Sequence, residues 1–126
     1  MSKLQVAVEY ESHHGCVVVR DSASDGDVSN APPESLWFFD RGSGILAVQP
    51  AVEGPVRCEV WLGTPDDSLP LCVADEAFDI VGALEVEDPG GVITAALAWV
   101  RGSRRLVVLV DDGKPPTRVQ FVIDPH

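Results

Sequence analysis

The sequence predicts an all-β chain, an antiparallel two-sheet β-sandwich (jelly-roll-like or a flattened barrel) of about eight or nine short strands with a C-terminal meander. Three observations carry this reading. Apolar residues recur with a period of two rather than 3.6 along most of the chain. Glycine and proline punctuate the apolar runs at intervals close to the length of a strand. No window sustains the apolar stripe of an amphipathic helix.

Leu4, Val6, Val8 and Tyr10 alternate with Gln5, Ala7 and Glu9, the pattern of a half-buried strand. Glu11–Gly15 then reads as a hairpin loop, with Gly15 supplying the positive φ that such a loop needs. Cys16–Val19, Leu36–Phe39 and Gly44–Val48 are apolar on both faces, as in strands covered on both sides or buried in an oligomer. Val56, Cys58, Val60 and Leu62 form the inward face of a further strand, opposite Arg57, Glu59 and Trp61. Pro50, Pro55, Pro65 and Pro70 fall at the ends of runs, where a missing N–H does least harm.

Ala74–Ala77 has room for one helical turn at most. From there, strands over about 77–87, 92–100, 105–110 and 117–123 read as the meander. Asp88–Gly91, Arg101–Arg104 and Asp111–Pro116 are its turns. Phe78, Ile80, Leu84 and Val86 share one face, opposite Asp79, Val81, Glu85 and Glu87. Ala95–Ala98 is helix-prone by composition, but Val92, Ile93, Thr94, Trp99 and Val100 around it favour strand. Asp21–Ser35, "DSASDGDVSNAPPES", differs from everything else: a polar, acidic loop whose length marks functional or disordered segments.

The 126 residues suit one domain, 1–126, with a single core. No apolar run approaches the roughly 20 residues of a membrane helix, and the first residues lack the features of a signal peptide, so a cytoplasmic location is expected. Twenty acids against nine bases give a net charge of −11, which disfavours nucleic acid and anionic membrane as partners. The imbalance is uneven, −13 over residues 1–99 and +2 over residues 100–126. Cys16, Cys58 and Cys72 form no zinc-ligand spacing and read as reduced, mostly buried thiols.

"SHHGC" (Ser12–Cys16) is the first candidate for chemistry. His14 and Cys16 project to one side of an extended backbone, and His13 or Glu11 would complete a metal set. A matching second ligand pair is absent from the sequence, so His13, His14 and Cys16 are weak metal candidates and no metal or other cofactor is expected. Asp21–Asp27 departs from a calcium loop at its third position, Ala23, and its twelfth, Pro32. Asp66-Asp67, Asp75-Glu76 and Asp111-Asp112 lie beside glycine, proline or run boundaries, where aspartate serves turns.

No nucleophile elbow, ligand triad or phosphate loop appears, and the expectation is a protein without catalytic activity. The favoured function is a protein-binding module, an inhibitor or immunity-type protein masking a basic partner, or a homodimer joined through apolar sheet faces. Its candidate contact residues are Trp37, Phe39, Trp61, Trp99, Arg101, Arg104 and Arg105, the aromatic and arginine chemistry enriched in interface hot spots. The competing reading is a β-barrel holding a small apolar ligand, with Gly82, Ala83, Ala95, Ala96 and Ala98 leaving the cavity.

Overall fold

The computed structural model describes residues 3–90 and 92–124. Among them the chain forms ten strands and one short 3-10 turn, Ala51–Glu53. The strands are β1 (Lys3–Tyr10), β2 (Cys16–Asp21), β3 (Trp37–Asp40), β4 (Ser43–Ala47), β5 (Val56–Leu62), β6 (Leu71–Ile80), β7 (Leu84–Glu87), β8 (Ile93–Leu97), β9 (Gly102–Val110) and β10 (Arg118–Ile123). They make two five-stranded sheets, the first in the order β1-β5-β10-β9-β6 and the second in the order β3-β4-β2-β7-β8. Every pairing is antiparallel except that of β10 with β5.

The two-residue rhythm of the sequence sets the faces. Val56, Cys58 and Val60 of β5, Val119, Phe121 and Ile123 of β10, and Leu106, Val108 and Val110 of β9 line the inner side of the first sheet. Val17 and Val19 of β2, Leu46 of β4, and Leu84 and Val86 of β7 meet them from the second. These side chains are almost completely buried, and each fully buried Val, Leu or Phe contributes about 1.5–3 kcal/mol. The sandwich is therefore held chiefly by its two inner faces.

The connections depart from the sequence reading in four places. β1 and β2 lie in different sheets, so Glu11–Gly15 is an arch between layers rather than a hairpin, although Gly15 does take a positive φ of 70°. The expected strand 77–87 breaks into β6 and β7 on opposite sheets. Asp21 causes the break. Its buried carboxylate accepts the backbone N–H groups of Val81 at 3.0 Å and Gly82 at 2.8 Å, donors that an unbroken ladder would have taken.

The C-terminal meander is likewise absent. β9 and β10 form a hairpin, but β8 belongs to the second sheet and β10 runs parallel to β5 in the middle of the first. A parallel pair needs a crossover, and residues 63–70 begin one over the outer face of the first sheet. There Gln120 accepts the N–H of Leu69 at 2.9 Å and donates to the Asp67 carbonyl at 3.0 Å and to Glu59 Oε1 at 3.1 Å. Finally, Arg101–Arg104 is no turn. The chain reverses at residues 98–99, and β9 has begun by Gly102.

Candidate protein-binding surface

Trp37 and Phe39 point inward from β3 and pack against the core, their rings stacked with centroids 6.2 Å apart. The Trp37 indole donates to Glu76 Oε2 at 2.9 Å, across the gap to β6. Glu76 and Asp75 thus lie inside a strand, not at the run boundary their sequence suggested. Trp61 stands half-buried on the outer face of β5 and donates to Glu59 Oε1 at 2.9 Å, while Arg57 donates to the other oxygen at 2.8 Å. Burial pushes the Glu59 carboxyl up, but Trp61, Arg57 and Gln120 outweigh it and hold the group below the usual glutamate range.

Trp99 is exposed and bonds Gln5 of β1 at 2.8 Å. The three arginines are occupied at separate points. Arg101 donates to the Gly82 carbonyl, Arg104 to the carbonyls of Arg101 and Asp124, and Arg105 makes a bidentate pair with Asp75. The contacts of these seven aromatic and arginine residues therefore fall at several places on the molecule rather than in one patch. Ala96 and Ala98 are exposed and Gly82 lies in the β6–β7 connection, so these small residues do not form the interior of a barrel.

The histidine turn finds its partner 74 residues away. His14 Nδ1 lies 3.1 Å from Asp88 Oδ1, and the Tyr10 hydroxyl lies 2.9 Å from that same oxygen. The Cys16 carbonyl is a second acceptor for Tyr10 at 2.9 Å and accepts the Ser12 hydroxyl at 3.1 Å. Burial raises Asp88, but His14, the Gly90 N–H and Tyr10 together hold it below the usual aspartate range. His13 lines a cleft of about 190 Å³ beside this node, with Tyr10, Asp88, Val92 and Thr94. Among the described residues, no three His, Cys, Asp or Glu side chains converge in metal-binding geometry. All three cysteines are free thiols, but only Cys58 is buried. Its burial pushes the thiol up to about 12, whereas Cys16 is half-buried and Cys72 exposed, contrary to the mostly buried set expected.

The acidic loop 21–35 is docked rather than freely solvated. Arg20 reaches up from β2 to the Ser24 carbonyl at 2.7 Å, and the Gly26 N–H donates to Ser24 Oγ at 2.9 Å. Asp27 is tied through its N–H to Asp40 Oδ2 at 2.7 Å, and its own carboxylate accepts the Ser29 N–H at 2.8 Å. Of the carboxylates in the calcium-loop reading, Asp21 and Asp27 accept the chain's own backbone N–H groups, whereas Asp25 is exposed and lies 3.7 Å from Arg41. The backbone passes so close to β3 that a Cβ on Gly26 would lie 2.0 Å from the Asp40 carbonyl oxygen.

Between this loop and the outer face of the second sheet runs a cleft of about 310 Å³, lined among others by Val18, Arg20, Asp27, Ser29, Ser43 and Glu87. Burial raises the Glu87 carboxyl; Arg20, 3.8 Å away, pulls it down, and the neighbouring Glu85 adds to the rise. Loop and face together carry Asp25, Asp27, Glu34, Asp40, Glu85 and Glu87 against Arg20 and Arg41. The strand alternation of Glu85 and Glu87 marked them as outward-facing. What the sequence did not signal was that a loop some sixty residues earlier would join them.

These features define an acidic two-sheet β-sandwich with a structured polar loop laid over one sheet. No protein-family model matches the chain, and no curated protein matches it in sequence. In fold it is similar to the crystal structure of ComJ from Bacillus subtilis, an inhibitor of the DNA-degrading activity of NucA. The TM-score is 0.66 at 13% identity, over 98% of this chain and 96% of that one. No helix among the described residues is long and apolar enough to cross a membrane.

Proposed function

We propose that this chain is a non-catalytic inhibitor-type protein that covers a basic surface of an enzyme, with loop 21–35 and the outer face of the second sheet as its contact surface. The observation that carries this reading is the docking of the loop on β3, where Asp27 of the loop and Asp40 of the strand are each fixed by a backbone hydrogen bond before any partner arrives. Carboxylates already ordered cost little additional entropy on binding, and a cationic partner relieves the crowding of Glu85 and Glu87 against each other. The whole-chain likeness to an inhibitor of a DNA-degrading enzyme supports the same reading and suggests a nuclease as the masked enzyme. Reduced thiols accord with a cytoplasmic setting.

The test is calorimetric titration of the chain into a panel of basic nucleases, NucA included and the nucleases of its own cell among them, with DNA degradation followed in parallel. Saturable binding that inhibits degradation, weakens with salt and falls about tenfold in Asp27→Lys supports the proposal. Absence of binding and inhibition across the panel overturns it. A second reading, self-association, is favoured by the exposed Val92, Ile93 and Trp99 around β8.

A further inference from the structure

Glu87 of β7, Val18 of β2 and Ile45 of β4 lie opposite one another on three neighbouring strands. Val17, Val19, Leu46 and Val86, their chain neighbours, point into the core, so this row faces outward. Together with Asp27 and Ser29 of the loop it lines the cleft of about 310 Å³ over the second sheet. Val18 and Ile45 give the cleft an apolar floor. Glu87 stands inside it with a side chain only 12% exposed, whereas Asp27 is exposed. Among the described residues the Glu87 carboxylate has one close cation, Arg20 Nη1 at 3.8 Å, beyond hydrogen-bond length. Arg20 makes its shorter contacts to the Ser24 carbonyl at 2.7 Å and the Asp21 carbonyl at 3.4 Å. The charged lining is therefore Asp27 and Glu87 against Arg20, a net of −1, which one added cation neutralises.

We propose that this cleft receives one lysine or arginine side chain protruding from the basic enzyme, its aliphatic stem on Val18 and Ile45 and its cationic head on Glu87. This placement rests on the inhibitor reading and supplies the anchor of its contact surface. A long basic side chain lays its methylene stem on apolar surface while its head keeps polar contacts, which matches both chemistries of the cleft. A wholly apolar guest would dry the site and give Glu87 no new partner, and an anion would meet two carboxylates. A small inorganic cation would gain nothing from Val18 and Ile45, and no metal-binding set of side chains converges among the described residues. Burial holds the Glu87 carboxyl above the usual glutamate range, a direction that a cation at hydrogen-bond distance reverses. The loop wall is already in place. The Asp27 N–H donates to Asp40 at 2.7 Å and the Gly26 backbone lies against β3, so little ordering cost remains for binding.

Titration of N-acetyl-arginine amide and N-acetyl-lysine amide into the isotope-labelled chain, followed by NMR, tests the cleft without any enzyme. Both should move the signals of Val18, Ser29, Ile45 and Glu87 together. N-acetyl-citrulline amide, similar in shape but uncharged, should leave them in place. Glu87→Gln should weaken binding of the arginine amide about tenfold. Glu85→Gln, on the same face but outside the cleft lining, should weaken it less than about twofold. Absent shifts, shifts scattered over the acidic surface, or equal losses in the two variants overturn the cleft assignment. The nuclease panel separates that failure from failure of the inhibitor reading. A nuclease captured and inhibited equally by the parent chain and by Glu87→Gln removes the anchor and leaves the inhibitor standing. Arginine amide seated in the cleft with no nuclease captured overturns the inhibitor reading and leaves a site for a cationic side chain.

Discussion

Tyr10 and Asp88 are 78 residues apart, yet one carboxylate oxygen gathers both the tyrosine hydroxyl and the His14 ring. The contact ties the arch between the sheets to the turn after β7. Because its hydrogen bonds hold Asp88 below the usual aspartate range, its ionised form stabilises the fold above the unfolded value of about 3.9. That contribution is lost as pH falls through the lower folded value. Asp88→Asn should therefore reduce stability at pH 7 and flatten its fall below about pH 4 relative to the parent chain, as read from urea unfolding at a series of pH values. A parallel decline of the two proteins in acid would contradict this role. The presence of Tyr10, His14 and Asp88 was legible in the sequence, but their convergence was not, because hydrogen-bond partners so distant are chosen by how the sheets stack.

Strand faces were legible wherever one face was apolar and the other polar. In β5 and β10 the alternation alone assigned every inward residue, because a shift by one position would expose the whole apolar set. Strand ends were less legible. Residues 77–87 continue the alternation through Val81–Ala83, but there the Asp21 carboxylate takes the N–H groups of Val81 and Gly82 and Ser22 takes both backbone groups of Ala83, which stops the ladder. The acidic loop is an element in its own right, and Gly26 is its tightest point. A Gly26→Ala side chain would meet the Asp40 carbonyl at 2.0 Å, so this substitution should lift the loop from β3. Limited proteolysis should then cut within residues 24–35 several-fold faster, with the far-ultraviolet dichroism of the sheets unchanged. Equal cleavage rates would show that the loop is not held at this point.

At the scale of the molecule, twenty acids and nine bases share the surface of a small sandwich. Part of the acidity is internally compensated, as at Asp75 with Arg105 and Glu59 with Arg57, but the net repulsion disfavours the compact state. Moderate sodium chloride should therefore raise the melting temperature of the isolated chain above its value at low ionic strength, by scanning calorimetry at a concentration where it is monomeric. A fall with salt would mean that favourable ion pairs outweigh the repulsion. The amino-acid order by itself determined the sheet class, the inward faces and the acidic exterior, since these follow from local periodicity and composition. Which sheet each strand joins, where Arg101 and Trp99 stand, and which carboxylates gather over the second sheet were decided only by the tertiary fold. The reason is that β-pairing joins residues far apart in the chain, and its register is chosen by the common burial of all ten strands.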